Sequence, residues 1–159
     1  MDEKRSTRAQ QDAGSRLDVE RIIAAAPEAT FDAFIALYDR DRPDWVTSSH
    51  LDLRPGGRWP VGFDVPNGSA FQEERVLTAV ERPRRRAYDV RAVVAGAPDV
   101  ATHVELTIDA VPDGQRVRLV QRGFPTTRLR DEFAGAWPGV LDELAARVSA
   151  SGPSVRWNR

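Results

Sequence analysis

The sequence predicts an α+β domain, a curved antiparallel sheet of about six or seven strands wrapped around one long C-terminal helix. Three observations carry this expectation. A strand-like segment is followed at once by a proline-started helix. A run of alternating apolar and polar segments, separated by Gly, Pro and Asn, occupies the middle of the chain. A single apolar stripe of helical period lies near its end.

The elements follow in order. In RLDVERIIAA, from Arg16, Leu17 and Val19 alternate with charges before two isoleucines, the pattern of a half-buried strand. Pro27 then suits a first helical turn, where its missing N–H costs nothing. Phe31, Phe34, Ile35 and Tyr38 recur at i, i+3, i+4 and i+7, so PEATFDAFIALYD is an amphipathic helix. RDRPDWVTS is read as irregular or as a short second helix anchored by Trp45. LDLRPGGRWPVGFDV is a hairpin whose Pro-Gly-Gly turn needs the positive φ that glycine supplies. FQEERVLTAVE, the segment ending in RAYDVRAVV, VATHVELTIDAV and QRVRLVQRGF are the remaining strands, joined by RPR, AGAPD and PDG turns. Phe133, Trp137, Val140, Leu141, Leu144 and Val148 then form one helical stripe. Gly135, Pro138 and Gly139 weaken the same turn, so this helix is expected to begin or bend at Pro138, with Phe133 and Trp137 beside a pocket there. Residues 1–15 are expected to be a disordered tail, residues 16–150 a single domain and residues 151–159 a loosely held C-terminal tail.

Composition narrows the function classes. The 159 residues carry a net charge of −1, so no global field favours nucleic acid or an anionic membrane. The absence of cysteine excludes a disulfide framework, a thiolate metal site and a cysteine nucleophile. No apolar run approaches the roughly 18 residues of a membrane span, and the charged N-terminus is not a secretory signal. A cytoplasmic location is the expectation. Neither histidine has a second ligand at metal-site spacing: His103 falls on a polar strand face and His50 lies just before the hairpin. No metal or cofactor is expected. The basic run Arg82 to Arg86 falls in a turn without interleaved aromatics and reads as solvated.

Four segments in this order, VERIIAAAPEATFDAF, DLRPGGRW, ERVLTAVERPRRRAYD, and QRVRLVQRGFP with GAWPGVLDELAARV, resemble a known family. They are similar to the helix-grip superfamily of START and Bet v 1-like (SRPBCC) proteins. More narrowly, they resemble the bacterial branch named after the C-terminal domain of the activator of Hsp90 ATPase. The resemblance implies the helix-grip fold and a cavity between sheet and terminal helix as the common functional element. The superfamily includes carriers of lipids and hormones, polyketide aromatases and cyclases, stress-resistance proteins and chaperone-acting proteins, and a shared fold does not choose among them.

Strand alternation assigns the inward faces. Trp59, Val61 and Phe63 share one face, Tyr88 and Val90 another, and Val117, Leu119 and Gln121 a third. With Phe133, Trp137 and Leu141 from the helix, the candidate ligand-binding set is Trp59, Phe63, Tyr88, Gln121, Phe133, Trp137 and Leu141. Each of these also fits plain core packing. Tyr88 and Gln121 are the polar members, and buried without a partner each costs about 1–3 kcal/mol. They must therefore pair with each other, with water or with a ligand. Alternation leaves open whether Phe71, Glu73 and Arg75 or their neighbours face inward. If Glu73 or Arg75 does so, it is the best candidate for a charged functional group.

Three functions compete. The first is binding of a small apolar or aromatic molecule by a monomer or homodimer, with no nucleic-acid or membrane partner. The second is a cofactor-independent cyclase or dehydratase using the same cavity, for which no catalytic residue is assigned. The third is a chaperone-interacting module. It ranks last because the stretch ahead of the first strand is too short for the extra N-terminal domain of the eukaryotic chaperone activators. An interior cavity of roughly 300 Å³ or more favours the first two, a charged residue buried on it favours the enzyme, and a sealed, fully packed interior counts against both ligand readings.

Overall fold

Seven strands form one antiparallel sheet in the order β1-β7-β6-β5-β4-β3-β2. They are β1 Arg16–Ile23, β2 Val46–Ser49, β3 Val61–Asp64, β4 Ala70–Glu81, β5 Arg85–Val93, β6 Val100–Val111 and β7 Gly114–Arg122. Helix α1, Pro27–Leu37, follows β1, and helix α2, Thr127–Trp157, ends the domain. The computed structural model describes residues 16–38, 42–64 and 70–157. The expected N-terminal tail, residues 1–15, lies outside the described residues.

β2 to β7 make a meander, and β1 returns to pair with β7 from Arg16↔Arg122 to Ile23↔Gln115. Chain order thus puts β1 and β2 on opposite edges, and α1 lies on the path from one to the other. Phe31, Phe34 and Leu37 of α1 are buried, as its apolar spacing requires. They join Leu77, Tyr88, Leu106, Ile108, Leu119, Leu141 and Leu144 in one core. Burying each large side chain contributes about 1.5–3 kcal/mol.

Two elements differ from the sequence reading, one of them at both ends. Val46–Ser49 is an edge strand, neither irregular nor helical: Val46 pairs with Phe63, and half-buried Trp45 stacks on Phe63 at 6.2 Å. Two β-branched residues next to a half-buried aromatic are strand formers, and this outweighs the turn-like Arg-Pro-Asp before them. α2 does not begin at Pro138. It starts eleven positions earlier, where Thr126 caps it by accepting the Leu129 N–H on Oγ1 at 3.1 Å. A threonine N-cap offsets one orphan donor, so Pro138 falls within an established helix and removes a single bond. At the other end α2 continues to Trp157, through the residues expected as a tail.

The Pro-Gly-Gly turn keeps its expected place. Gly56 has φ +81°, and a Cβ on Gly57 would lie 2.0 Å from the Asp52 carbonyl oxygen. The turn is bonded sideways to β4: Gly56 N–H donates to Leu77 O at 2.7 Å, Leu77 N–H to Gly57 O at 2.9 Å and Trp59 N–H to Arg75 O at 2.8 Å. Close backbone approach, possible only without side chains, fixes Trp59 over the inner face of β4.

Candidate functional site

β4 and β5 supply the centre of the site. Their register pairs Arg75 with Val90 and Leu77 with Tyr88, which sets Glu73, Arg75 and Leu77 on the inner face with Arg86, Tyr88 and Val90. The face that alternation left open is thereby decided. Both arginines are closed off from solvent, at 3% and 1% exposure, and Glu73 is buried with them.

Aromatic rings enclose these charges. Trp59 meets Tyr88 at 5.2 Å and Tyr38 at 5.6 Å, both edge-to-face, and Phe63 lies 6.4 Å from Tyr38. The Arg75 guanidinium sits 4.2 Å from the Trp59 ring centre and 4.9 Å from those of Tyr38 and Tyr88. That of Arg86 sits 4.5 Å from Phe34 and 4.6 Å from Trp59. A ring face attracts a cation most strongly where water is excluded.

The two arginines are served unequally. Glu73 Oε1 accepts from Arg75 Nε at 2.8 Å and Nη2 at 2.6 Å. Arg75 Nη1, all three nitrogens of Arg86 and the Tyr88 hydroxyl have no hydrogen-bond partner among the described residues. Burial lowers the Arg86 pKa to about 10, and repulsion from Arg75 acts the same way against the pull of Tyr88 and Tyr38. It therefore remains a cation at neutral pH. Burial also works against the charge of Arg75, but Tyr88, Glu73 and Tyr38 together outweigh it and hold that pKa above its ordinary value. The Tyr88 phenol is pushed up by burial despite both guanidinium groups.

The sequence-predicted residues divide into two groups. Trp59, Phe63 and Tyr88 lie in the cage just described. Gln121 and Trp137 lie in a second buried polar group: Trp137 Nε1 donates to Gln121 Oε1 at 2.8 Å, and Gln121 Nε2 donates to Thr102 Oγ1 at 2.9 Å. Trp137 is thus tied to the sheet. Phe133 is half-buried on α2 and packs on Phe124 at 5.3 Å, and Leu141 is buried in the core. The unpartnered groups stand against Phe34 of α1 and against Trp59, which follows the Pro-Gly-Gly turn.

Arg86 escaped the sequence reading because it closes the run RPRRR, which reads as a solvated turn. In the structure only Arg86 of that run is buried, while the other three arginines find acceptors nearer the surface. Arg82 makes two 2.8 Å bonds to Asp32, Arg84 binds Ile108 O and Gln115, and Arg85 binds Glu105 and Glu81. The signal was the strand period itself, since Tyr88 facing inward requires Arg86, two residues earlier, to do the same.

A depression of about 1040 Å³ lies on the other, outer face of the sheet, lined by Arg58, Glu74, Asp89, Arg91, His103 and Arg122 among others. It is open to solvent, and its lining mixes charged side chains with apolar ones such as Val76, Val90 and Ala101. His103 lies there, with Nδ1 2.8 Å from Asp89, and His50 is exposed. Among the described residues no three His, Cys, Asp or Glu side chains are grouped to hold a metal, and no helix is long and apolar enough to cross a membrane.

Comparisons with known proteins agree with this architecture. The sequence model of the family described as Activator of Hsp90 ATPase homolog 1-like protein matches residues 24–149. No curated protein matches the chain. Among solved structures, protein CV1439 from Chromobacterium violaceum is similar at 24% identity and TM-score 0.67, over 84% of this chain and 96% of that one. Protein NE0264 from Nitrosomonas europaea is similar at 18% identity and TM-score 0.69, over 88% and 97%. CalU16 from Micromonospora echinospora is similar at 22% identity and TM-score 0.58, over 89% and 79%. At these identities the likeness concerns the fold.

Proposed function

The chain belongs to the activator of Hsp90 ATPase homolog 1-like family, and we propose that this member binds a small apolar or aromatic molecule in the interior between sheet and helices. One observation carries the reading: five buried nitrogen and oxygen atoms on Arg75, Arg86 and Tyr88 stand among aromatic rings without a partner among the described residues. Folded proteins pair most of their buried polar groups, and unpaired ones are costly. A ligand that satisfies these atoms recovers that cost, while the rings supply apolar contact. Trp59, Phe63 and Tyr88 are the proposed lining. Gln121, Phe133, Trp137 and Leu141 border the same core from the α2 side.

The cage is shut in this conformation, because Trp59, Arg86 and Tyr88 are each at or below 1% exposure. Binding therefore requires packed side chains to part, and the apparent affinity falls with the fraction of open molecules. Thermal-shift screening of the full chain against aromatic polyketides and lipids tests the proposal. A ligand at a hundred times its Kd stabilises by about 2.7 kcal/mol. A rise in Tm with quenching of tryptophan emission is expected. A screen in which no compound raises Tm overturns the reading.

The buried charges favour a second reading, a cofactor-independent cyclase or dehydratase. In that case Glu73 takes the proton from a carbon between two carbonyls, Arg75 and Arg86 stabilise the enolate so formed, and the Tyr88 phenol protonates the oxygen of the carbonyl that the enolate carbon attacks. Mass spectrometry of a poly-β-ketone substrate incubated with the protein is the test. Cyclised, dehydrated product that is lost in Tyr88→Phe supports it, and unchanged substrate overturns it.

A further inference from the structure

We propose that the interior site recognises a carboxylate on an aromatic or apolar body, with Arg86 as the anchoring cation and Tyr88 and Arg75 as its neighbours. This rests on the reading above that the interior binds a small molecule, and it names the chemical class of that molecule.

The sign and kind of the unmet valences point to an anion. The free nitrogens of Arg86 and Arg75 only donate, and the Tyr88 hydroxyl also has a proton to give. Their complement is a group rich in acceptors. Charge adds to this. Among the described residues the inner face buries two arginines and one glutamate, and Glu73 is already engaged by two nitrogens of Arg75. One positive charge is left uncompensated in a water-excluded space. Water bonds to a guanidinium without cancelling its charge, and an unpaired buried charge is among the costliest features a fold can hold.

The geometry selects the shape of the anion. The Phe34 and Trp59 ring centres lie 4.5 and 4.6 Å from the Arg86 guanidinium centre, and none of its three nitrogens has a hydrogen-bond partner among the described residues. A planar guanidinium edge matches a carboxylate through two parallel bonds. The surrounding rings of Trp59, Tyr88 and Phe34 offer apolar contact that a bare inorganic ion does not use, so the carboxylate is expected on an organic body.

The test uses the full chain at pH 7 with two probes of one shape, 2-naphthoate and 2-naphthamide, followed by calorimetry and thermal shift. Acetate serves as the anion without a body. Wild-type protein is expected to bind the acid at least about tenfold more tightly than the amide, since a hydrogen bond to a charged group is worth that or more. In Arg86→Met the preference is expected to fall to near unity with amide binding retained, and in Arg86→Lys part of the preference is expected to return. Equal binding of acid and amide by wild-type protein overturns this proposal and leaves small-molecule binding standing. Stabilisation by acetate equal to that by naphthoate overturns it as well, because the aromatic body then adds nothing. Binding of neither naphthyl probe counts against the small-molecule reading itself, and this proposal falls with it.

Discussion

The interior holds two buried polar groups on one sheet, and they end differently. In the first, Trp137 donates to Gln121 and Gln121 donates to Thr102, so side-chain donors find acceptors. In the second, Glu73 answers part of Arg75, while Arg86 and the Tyr88 hydroxyl have no hydrogen-bond partner among the described residues. The first group joins α2 to β7 and β6 and is complete as structure. The second has charge and donors to spare. A buried polar residue is thus no marker of function by itself. The marker is a valence that the fold leaves unmet.

The contrast makes opposite predictions for the two arginines. Arg75→Met strands Glu73 in the core, and removing one partner of a buried pair costs about 3–5 kcal/mol. Arg86→Met removes a charge with no acidic partner, and stability is expected to rise by about 1–3 kcal/mol, as when buried ions give way to apolar residues of similar volume. Urea denaturation of both variants beside wild type decides the matter. Loss of stability in Arg86→Met comparable to that in Arg75→Met would erase the distinction between the paired and the unpaired arginine.

A smaller effect is expected from the closed group. Gln121→Leu keeps the volume and leaves the Trp137 N–H without its acceptor, at a cost of about 1–3 kcal/mol. The same variant is expected to leave 2-naphthoate affinity within about twofold of wild type, since the free donors lie elsewhere; the bound corresponds to less than 1 kcal/mol. Melting and calorimetry on one preparation separate the two readouts. A large loss of affinity with unchanged stability would move the ligand site to Trp137.

Much of the fold was legible because its signals are local and periodic. Alternation in Val104, Leu106 and Ile108, the helical spacing of Phe31 to Tyr38 and the Pro-Gly-Gly turn each fix an element without reference to the rest. The inward faces of Trp59, Tyr88 and Gln121 followed from the same period. What escaped needed pairing across strands. Glu73 and Arg75 turn inward because β4 is in register with Tyr88 and Val90 of β5, a relation that no single strand contains. Trp137 read as the wall of a pocket because its partner Gln121 is sixteen residues away on another element. Arg86 was hidden by its own neighbours. Three arginines that do find acceptors near the turn made the fourth look solvated with them.

The outer face supplies the control for both groups and the smallest effect. Asp18 on β1 accepts from Arg118 on β7 and lies beside Arg16, and these bonds hold its pKa below the ordinary 3.8 against the opposing effect of partial burial. A depressed carboxylate stabilises the fold above its unfolded value and loses that contribution as pH falls through its folded value. The window is therefore below pH 3.8. The pair is exposed, so solvent screens most of the attraction. Asp18→Asn is expected to lower Tm at pH 7 by no more than about 2 °C, with the gap to wild type narrowing as pH falls below 3.8. A larger shift at pH 7 would mean that the outer ion pairs share in holding the sheet's curvature. The stability changes in Arg75→Met and Arg86→Met would then need the same pH series before they could be assigned to the interior alone.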